Sequence, residues 1–195
     1  MPYKRSLYVA EPAEQAWKTD FEPTMIQVLA RSLPITFETH SAVYSAAHNY
    51  VSSSRSKPGV NPCPDLYAQV KLFFAQYTER IGAAAPDDDA TVPAYYDAEW
   101  DRFSRGVKVV NRLLEPLNKY LINRARDTGS KDLLTVRHLA FDGWKTNVFE
   151  RLHLRLENAD SIDKTRLEMI RSSFAAEELN NEDLQNMHLG AAPVS

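Results

Sequence analysis

Apolar residues recur along this chain at helical steps, with proline-rich polar stretches between them. From Glu11 to Arg31, the residues Trp17, Phe21, Met25, Val28 and Leu29 repeat at steps of three and four, which predicts a helix. Pro23 falls inside it and predicts a break or kink. Pro34 punctuates the chain, and a second helix is expected over residues 36–53 with Thr36 as its N-cap. Residues 52–64, SSSRSKPGVNPCP, read as a polar loop. A third helix opens near Pro64, where Tyr67, Val70, Phe74, Tyr77 and Ile81 follow at steps of 3, 4, 3 and 4 on one stripe. The stretch GAAAPDDDATVP ends it, and Asp87 to Asp89 read as a solvated connector in preference to a metal site.

The longest periodic segment runs from Val92 to Arg126. Phe103, Val107, Val110, Leu114, Leu117 and Leu121 step by 4, 3, 4, 3 and 4, and a helix of that length spans about 50 Å. Pro116 is expected to bend it. DTGSK forms the next turn, and Leu133, Val136, Ala140, Trp144, Val148, Leu152 and Leu156 mark a fifth helix. A last helix is expected over Ser161 to Leu179, with Ile162, Leu167, Ile170 and Phe174 on its apolar side. The fold class is therefore all-α: five or six helices, several of them long, with short connectors that favour antiparallel neighbours. Residues 1–10 and 180–195 are weakly patterned and are expected to be flexible tails, leaving a helical bundle over 11–157 and a further helical segment over 158–179.

Composition narrows the function classes. The net charge of −3 offers no basic excess for a polyanion, which argues against nucleic acid as a partner. No run approaches the roughly 20 apolar residues of a membrane-spanning helix, so no membrane partner is expected, and the N-terminus lacks the apolar core of a signal peptide. The one cysteine, Cys63, allows no internal disulfide and fits a reducing compartment. Only six glycines are present, which favours helices over a turn-rich β fold.

Candidate chemistry is thin. Cys63 stands between Pro62 and Pro64 with no neighbouring base to activate it. No pair among His40, His48, His138, His153 and His188 has the i, i+4 spacing of a helical metal site. His40 and His48 share a face, but eight residues of helix set them about 12 Å apart. No glycine-rich phosphate loop and no nucleophile elbow is present. The acidic pairs near the end of the chain read as a solvated face. No catalytic residue, metal or cofactor is expected. What remains is surface: His40, Tyr44, Ala47, His48 and Val51 share one side of the second helix, and Tyr44 and Tyr50 are of the amphipathic aromatic type enriched at interfaces.

Three blocks resemble one family. AVYSAAHNYVSSSR, from Ala42 to Arg55, resembles the second helix of cullins, with Val43, Tyr44, Asn49, Tyr50 and Ser52 at matching places. Tyr95 to Arg124 resembles the long fourth helix, where Trp100, Phe103, Val110, Asn111, Leu117, Asn118 and Arg124 match. Leu133 to Leu152 resembles the fifth, with Leu139, Ala140, Trp144, Phe149 and Leu152 in register. With the helix LYAQVKLFFAQYTERI between them, these blocks cover most of residues 36–152. Trp17 is similar to the tryptophan that opens the family's first helix, though the spacing after it is off by about a residue. The wording is closest to the branch that serves F-box proteins.

The resemblance implies a cullin-repeat-like five-helix bundle over 11–157, with 158–179 either the start of a second repeat or a terminal helix. It implies a non-catalytic scaffold of a ubiquitin ligase, found in cytoplasm and nucleus. The second and fifth helices would bind a BTB-fold adaptor that carries F-box substrate receptors. By position, the partner-binding residues would be His40, Tyr44, Ala47, His48, Arg137 and Phe141, and an exposed patch is expected to join Tyr44 to Phe141. A full cullin is several times longer. The region that binds a RING protein and accepts a ubiquitin-like modifier falls outside these residues, so a RING partner is not expected. His40 and His48 stand where that branch usually has tyrosines. The alternatives are a generic α-helical interaction module, a truncated cullin-like competitor for adaptors, and an enzyme, which would need a concave pocket with converging polar groups.

Overall fold

The computed structural model describes residues 13–31, 35–53, 63–123, 133–159 and 164–189, and among them every regular element is helical. Helix α1 comprises Ala13–Ala16, a π-helical turn Trp17–Phe21, and Glu22–Arg31. Helix α2 is Phe37–Ser53 and α3 is Cys63–Ala83. Helix α4 is Val92–Leu113, continued after a break by Glu115–Leu117 and a π turn Asn118–Asn123. Helix α5 comprises Val136–Trp144, a π turn Lys145–Phe149, and Glu150–Glu157, and α6 is Lys164–Leu189.

The apolar stripes read from the sequence form the core, with Tyr77 and Leu133 half-buried against it and Ile162 outside the described residues. Phe103, Val107, Val110, Leu114, Leu117 and Leu121 are all buried, as are Trp17, Phe21, Met25, Val28 and Leu29. The π turns have a cause in the spacing of these stripes. On α5 the buried positions Val136, Ala140, Trp144, Val148, Leu152 and Leu156 advance by four throughout. In an α-helix each step of four overshoots one turn by about 40°, so such a stripe would wind off the core within a few turns. A wider turn, in which the Glu150 N–H bonds to the Lys145 carbonyl five residues back, takes up that drift. The same logic holds for α1, where Trp17, Phe21, Met25 and Leu29 advance by four and the Glu22 N–H bonds to the Trp17 carbonyl.

The prolines act in two ways. Pro23 does not end α1: the helix runs on to Arg31, with the widened turn immediately before it. Pro116 does interrupt α4. It lacks the N–H that would bond to the Arg112 carbonyl. Leu114 leaves helical geometry at φ −96°, ψ 17°, and a new turn starts from its carbonyl, which accepts from Leu117 N–H at 3.0 Å. Cys63, expected in the preceding loop, is the first residue of α3, with Pro64 following where its missing N–H costs nothing. The last helix continues past Leu179, its expected end, to Leu189.

Packing brings α1 and α2 onto α4, and α3 and α6 onto α5. Two glycines permit the closest approaches. A Cβ on Gly82 of α3 would lie 2.2 Å from the Asn147 carbonyl oxygen in the π turn of α5. One on Gly106 of α4 would lie 3.1 Å from the Leu29 Cα of α1. The α3–α5 crossing also carries the buried hydroxyl of Thr78, which donates to the Phe74 carbonyl at 2.8 Å and accepts from Asn147 Nδ2 at 2.9 Å.

At the centre stands Trp144. Its ring meets Phe103 at 4.8 Å and Trp100 at 5.3 Å, and its Nε1 donates to the Tyr96 hydroxyl at 3.2 Å. Helix α6 adds Phe174, which is 5.6 Å from Trp100 and 5.7 Å from Phe149, and Arg166, which bridges Asp97 at 2.8 Å and Asp101. The connector from α3 to α4 is fastened by Arg155 of α5. That side chain donates to Asp89 at 2.5 Å, to the Pro86 carbonyl at 2.7 Å and to the Asp87 carbonyl at 2.9 Å.

Candidate partner-binding face

Thr36 caps α2 as its sequence predicts: its hydroxyl accepts from the Thr39 N–H at 3.1 Å, and its carbonyl accepts from the His40 N–H at 2.9 Å. The helix then buries Val43, Ala47 and Val51 against the bundle. Beside that stripe run His40 and Tyr44, half-buried, and His48, exposed. The His40 and Tyr44 rings stack with centroids 6.3 Å apart and an interplanar angle of 11°. His48 meets Tyr120 edge-on at 5.7 Å, and its Nε2 lies 3.4 Å from the Tyr120 hydroxyl. Past His40, the other exposed positions Ser41, Ala42, Ser45 and Asn49 are small and uncharged.

Charge sets α2 apart. Its 17 residues contain one formally charged side chain, Glu38. Ordinary solvated helical faces are dense with Lys, Arg, Glu and Asp, whereas the centres of protein interfaces are depleted of charge and enriched in aromatic rings.

Helix α5 begins with Thr135, whose hydroxyl accepts from His138 N–H at 3.1 Å. Arg137 lies over the Phe141 ring at 5.2 Å. The expected exposed Tyr44–Phe141 patch is not formed, because Phe141 is only 6% exposed, with its ring against Trp100 at 5.5 Å. Ala47 is fully buried as well. The accessible members of the expected set are His40, Tyr44, His48 and Arg137.

Sequence reasoning missed the element that ties the two helices together, the end of α4. Asn118 Oδ1 accepts from the first N–H of α5, that of Val136, at 3.0 Å, and Asn118 Nδ2 donates to Asn111 Oδ1 at 3.1 Å. Two residues on, Tyr120 meets His48 of α2. Between them Lys119 bonds to Glu115 at 2.7 Å. That hydrogen bond is the main cause of a raised Lys119 pKa, and Tyr44 and Tyr120 add smaller contributions. The place of Tyr120 was legible only in part: it sits one residue before Leu121, on the shoulder of the buried stripe. Among the described residues no cluster of His, Cys, Asp and Glu could hold a metal ion, and no helix is long and apolar enough to cross a membrane.

Comparison with known proteins adds an independent line. Residues 18–188 match a family model described as the cullin alpha solenoid domain. The chain is 28% identical over 141 residues to Cullin-1 of Dictyostelium discoideum, covering 64% of this chain and 18% of that protein. It is 28% identical over 120 residues to Cullin-1 of Caenorhabditis elegans, covering 60% of this chain and 14% of that protein. It is 24% identical over 120 residues to cell division control protein 53 of Saccharomyces cerevisiae, covering 55% and 14%. The chain thus spans less than a fifth of the length of these relatives.

Proposed function

This chain belongs to the cullin family, and on that premise we propose that it is a non-catalytic scaffold module of a cullin-RING ubiquitin ligase, active in cytoplasm and nucleus, whose α2 and α5 bind a BTB-fold adaptor carrying F-box substrate receptors. His40, Tyr44, His48 and Arg137 make the contact. Ala47 and Phe141 form the buried floor that holds them, and Tyr120 props His48. The observation that carries this reading is the outer side of α2, which is ringed with aromatic groups and nearly free of formal charge on a rigidly capped helix. A preorganised helical face of this kind presents anchors to a groove at little entropic cost.

Isothermal titration calorimetry of the chain against the F-box-carrying BTB-fold adaptor tests it, with Tyr44→Ala alongside. Submicromolar binding that is lost or strongly weakened in the variant is the expected result. Absence of binding by a chain shown to be folded refutes the adaptor assignment and leaves the family membership standing.

A further inference from the structure

The most exposed large apolar side chain among the described residues is Phe37, at 84% of its full accessibility. A lone exposed apolar residue on a protein surface needs no explanation, but three observations set Phe37 apart. It is the first residue of α2, in a turn pinned by the Thr36 hydroxyl and carbonyl, so the ring is displayed from a fixed backbone. It lies in phase with the face described above. Steps of seven and eleven residues are close to whole turns of an α-helix, which places Phe37, Tyr44 and His48 on one line with His40 beside it. And past Glu38 the surface continuing along α2 carries no formal charge.

We propose that Phe37 is the leading anchor of the α2 face, inserting into an apolar pocket of the BTB-fold adaptor one turn ahead of the His40–Tyr44 pair. This rests on the adaptor reading given above and deepens it. Its logic is apolar area. His40 and His48 engage Tyr44 and Tyr120 within the chain itself. A phenylalanine ring is large, offers no hydrogen bond, and gains only by leaving water. At 84% exposure on a capped turn, it offers a partner apolar area that the two imidazoles do not. The pocket that receives it is apolar, because any polar group facing the ring would be desolvated without a partner.

The experiment compares the full chain with Phe37→Ala, Phe37→Leu and Tyr44→Ala, each titrated calorimetrically against the purified F-box-carrying BTB-fold adaptor. Each is also checked for melting temperature and for self-association by sedimentation. Phe37→Ala is expected to weaken binding by at least about tenfold, the scale of an interface anchor. Phe37→Leu, which keeps an apolar group, should stay within about threefold of the parent. Melting temperatures should be unchanged, since the ring is 84% exposed. Loss of binding in Tyr44→Ala with parental affinity in Phe37→Ala overturns the anchor and leaves the adaptor reading intact. No binding by the folded parent overturns both. A parent dimer that Phe37→Ala dissociates, with adaptor affinity unchanged, assigns the ring to a second copy of the chain and likewise overturns the proposal.

Discussion

The α3–α5 crossing and the outer side of α2 solve opposite problems with similar helices. At the crossing the backbones approach so closely that Gly82 has no room for a methyl group, and the Thr78 hydroxyl and Asn147 amide hydrogen-bond across the contact. That close approach and the Thr78–Asn147 hydrogen bond favour one register of α3 on α5. On the outer side of α2 the His40 and Tyr44 rings stack on each other, and His48 meets Tyr120 of α4. That side offers rings, small residues and one formal charge. The first region is specified from within the chain, and the second is the face proposed above for a partner. Substitutions should therefore separate cleanly into those that lower stability and those that lower binding.

The largest effect should follow truncation at the centre of the specified region. Trp144→Ala removes a fully buried ring that contacts Phe103, Trp100 and Tyr96, and should cost about 3–5 kcal/mol in urea denaturation. A loss under about 1 kcal/mol would mean that the aromatic cluster does not organise the core. Gly82→Ala should come next, at about 3 kcal/mol, because its Cβ would be 2.2 Å from a backbone oxygen that no rotamer change can move. A parental melting temperature in that variant would show that the two helices pack less closely. Tyr44→Ala should reverse the pattern: about 2 kcal/mol lost from adaptor binding with chemical stability held near that of the parent. Equal losses in both would erase the contrast between the regions.

Thr78→Val keeps the volume but strips Asn147 of its buried acceptor, and should cost about 1–2 kcal/mol of stability with binding intact. The smallest effect is a pH dependence. Burial pushes the Tyr96 hydroxyl pKa well above its reference of 10.0. The unfolded chain ionises that tyrosine above about pH 10 while the folded chain does not. Its contribution is therefore complete below pH 10 and is lost as pH rises further. Denaturation midpoints at pH 9 and pH 11 should show the fall, with a shallower slope in Tyr96→Phe.

Most of the fold could be read from apolar spacing, because one stripe per helix is all that burial requires. The stripes through Phe103 and Leu121, and through Val136 and Val148, are buried as expected. The Thr36 cap was legible because it is a local matter of a hydroxyl and an N–H three residues on. Features that depend on distant partners were not. Nothing near Gly82 in sequence announces Asn147, and nothing near Thr78 does either. The π turns occupy a middle ground: the steps of four were visible, but only the buried state of all six α5 positions reveals that the helix had to widen. On the candidate face, the sequence pattern put His40, Tyr44 and His48 on one side of α2, and the structure places them side by side there. The pattern missed Tyr120 and the linking role of Asn118, which arise from the break at Leu114, and it placed Phe141 on the surface when Trp100 covers it.

The Arg155 fastening alters what the connector from Ala84 to Thr91 will tolerate. Surface connectors with a run of aspartates ordinarily accept insertions, tags and labels at small energetic cost, since lengthening a free loop adds little closure entropy. Here two carbonyls and one carboxylate of that connector are held by a single guanidinium from a helix far along the chain. An epitope or fluorophore spliced between Pro86 and Asp89 would pull three hydrogen bonds apart and loosen the end of α5. Anyone choosing a graft site from the sequence, where PDDD looks like the safest place on the molecule, would be cutting one of its fasteners.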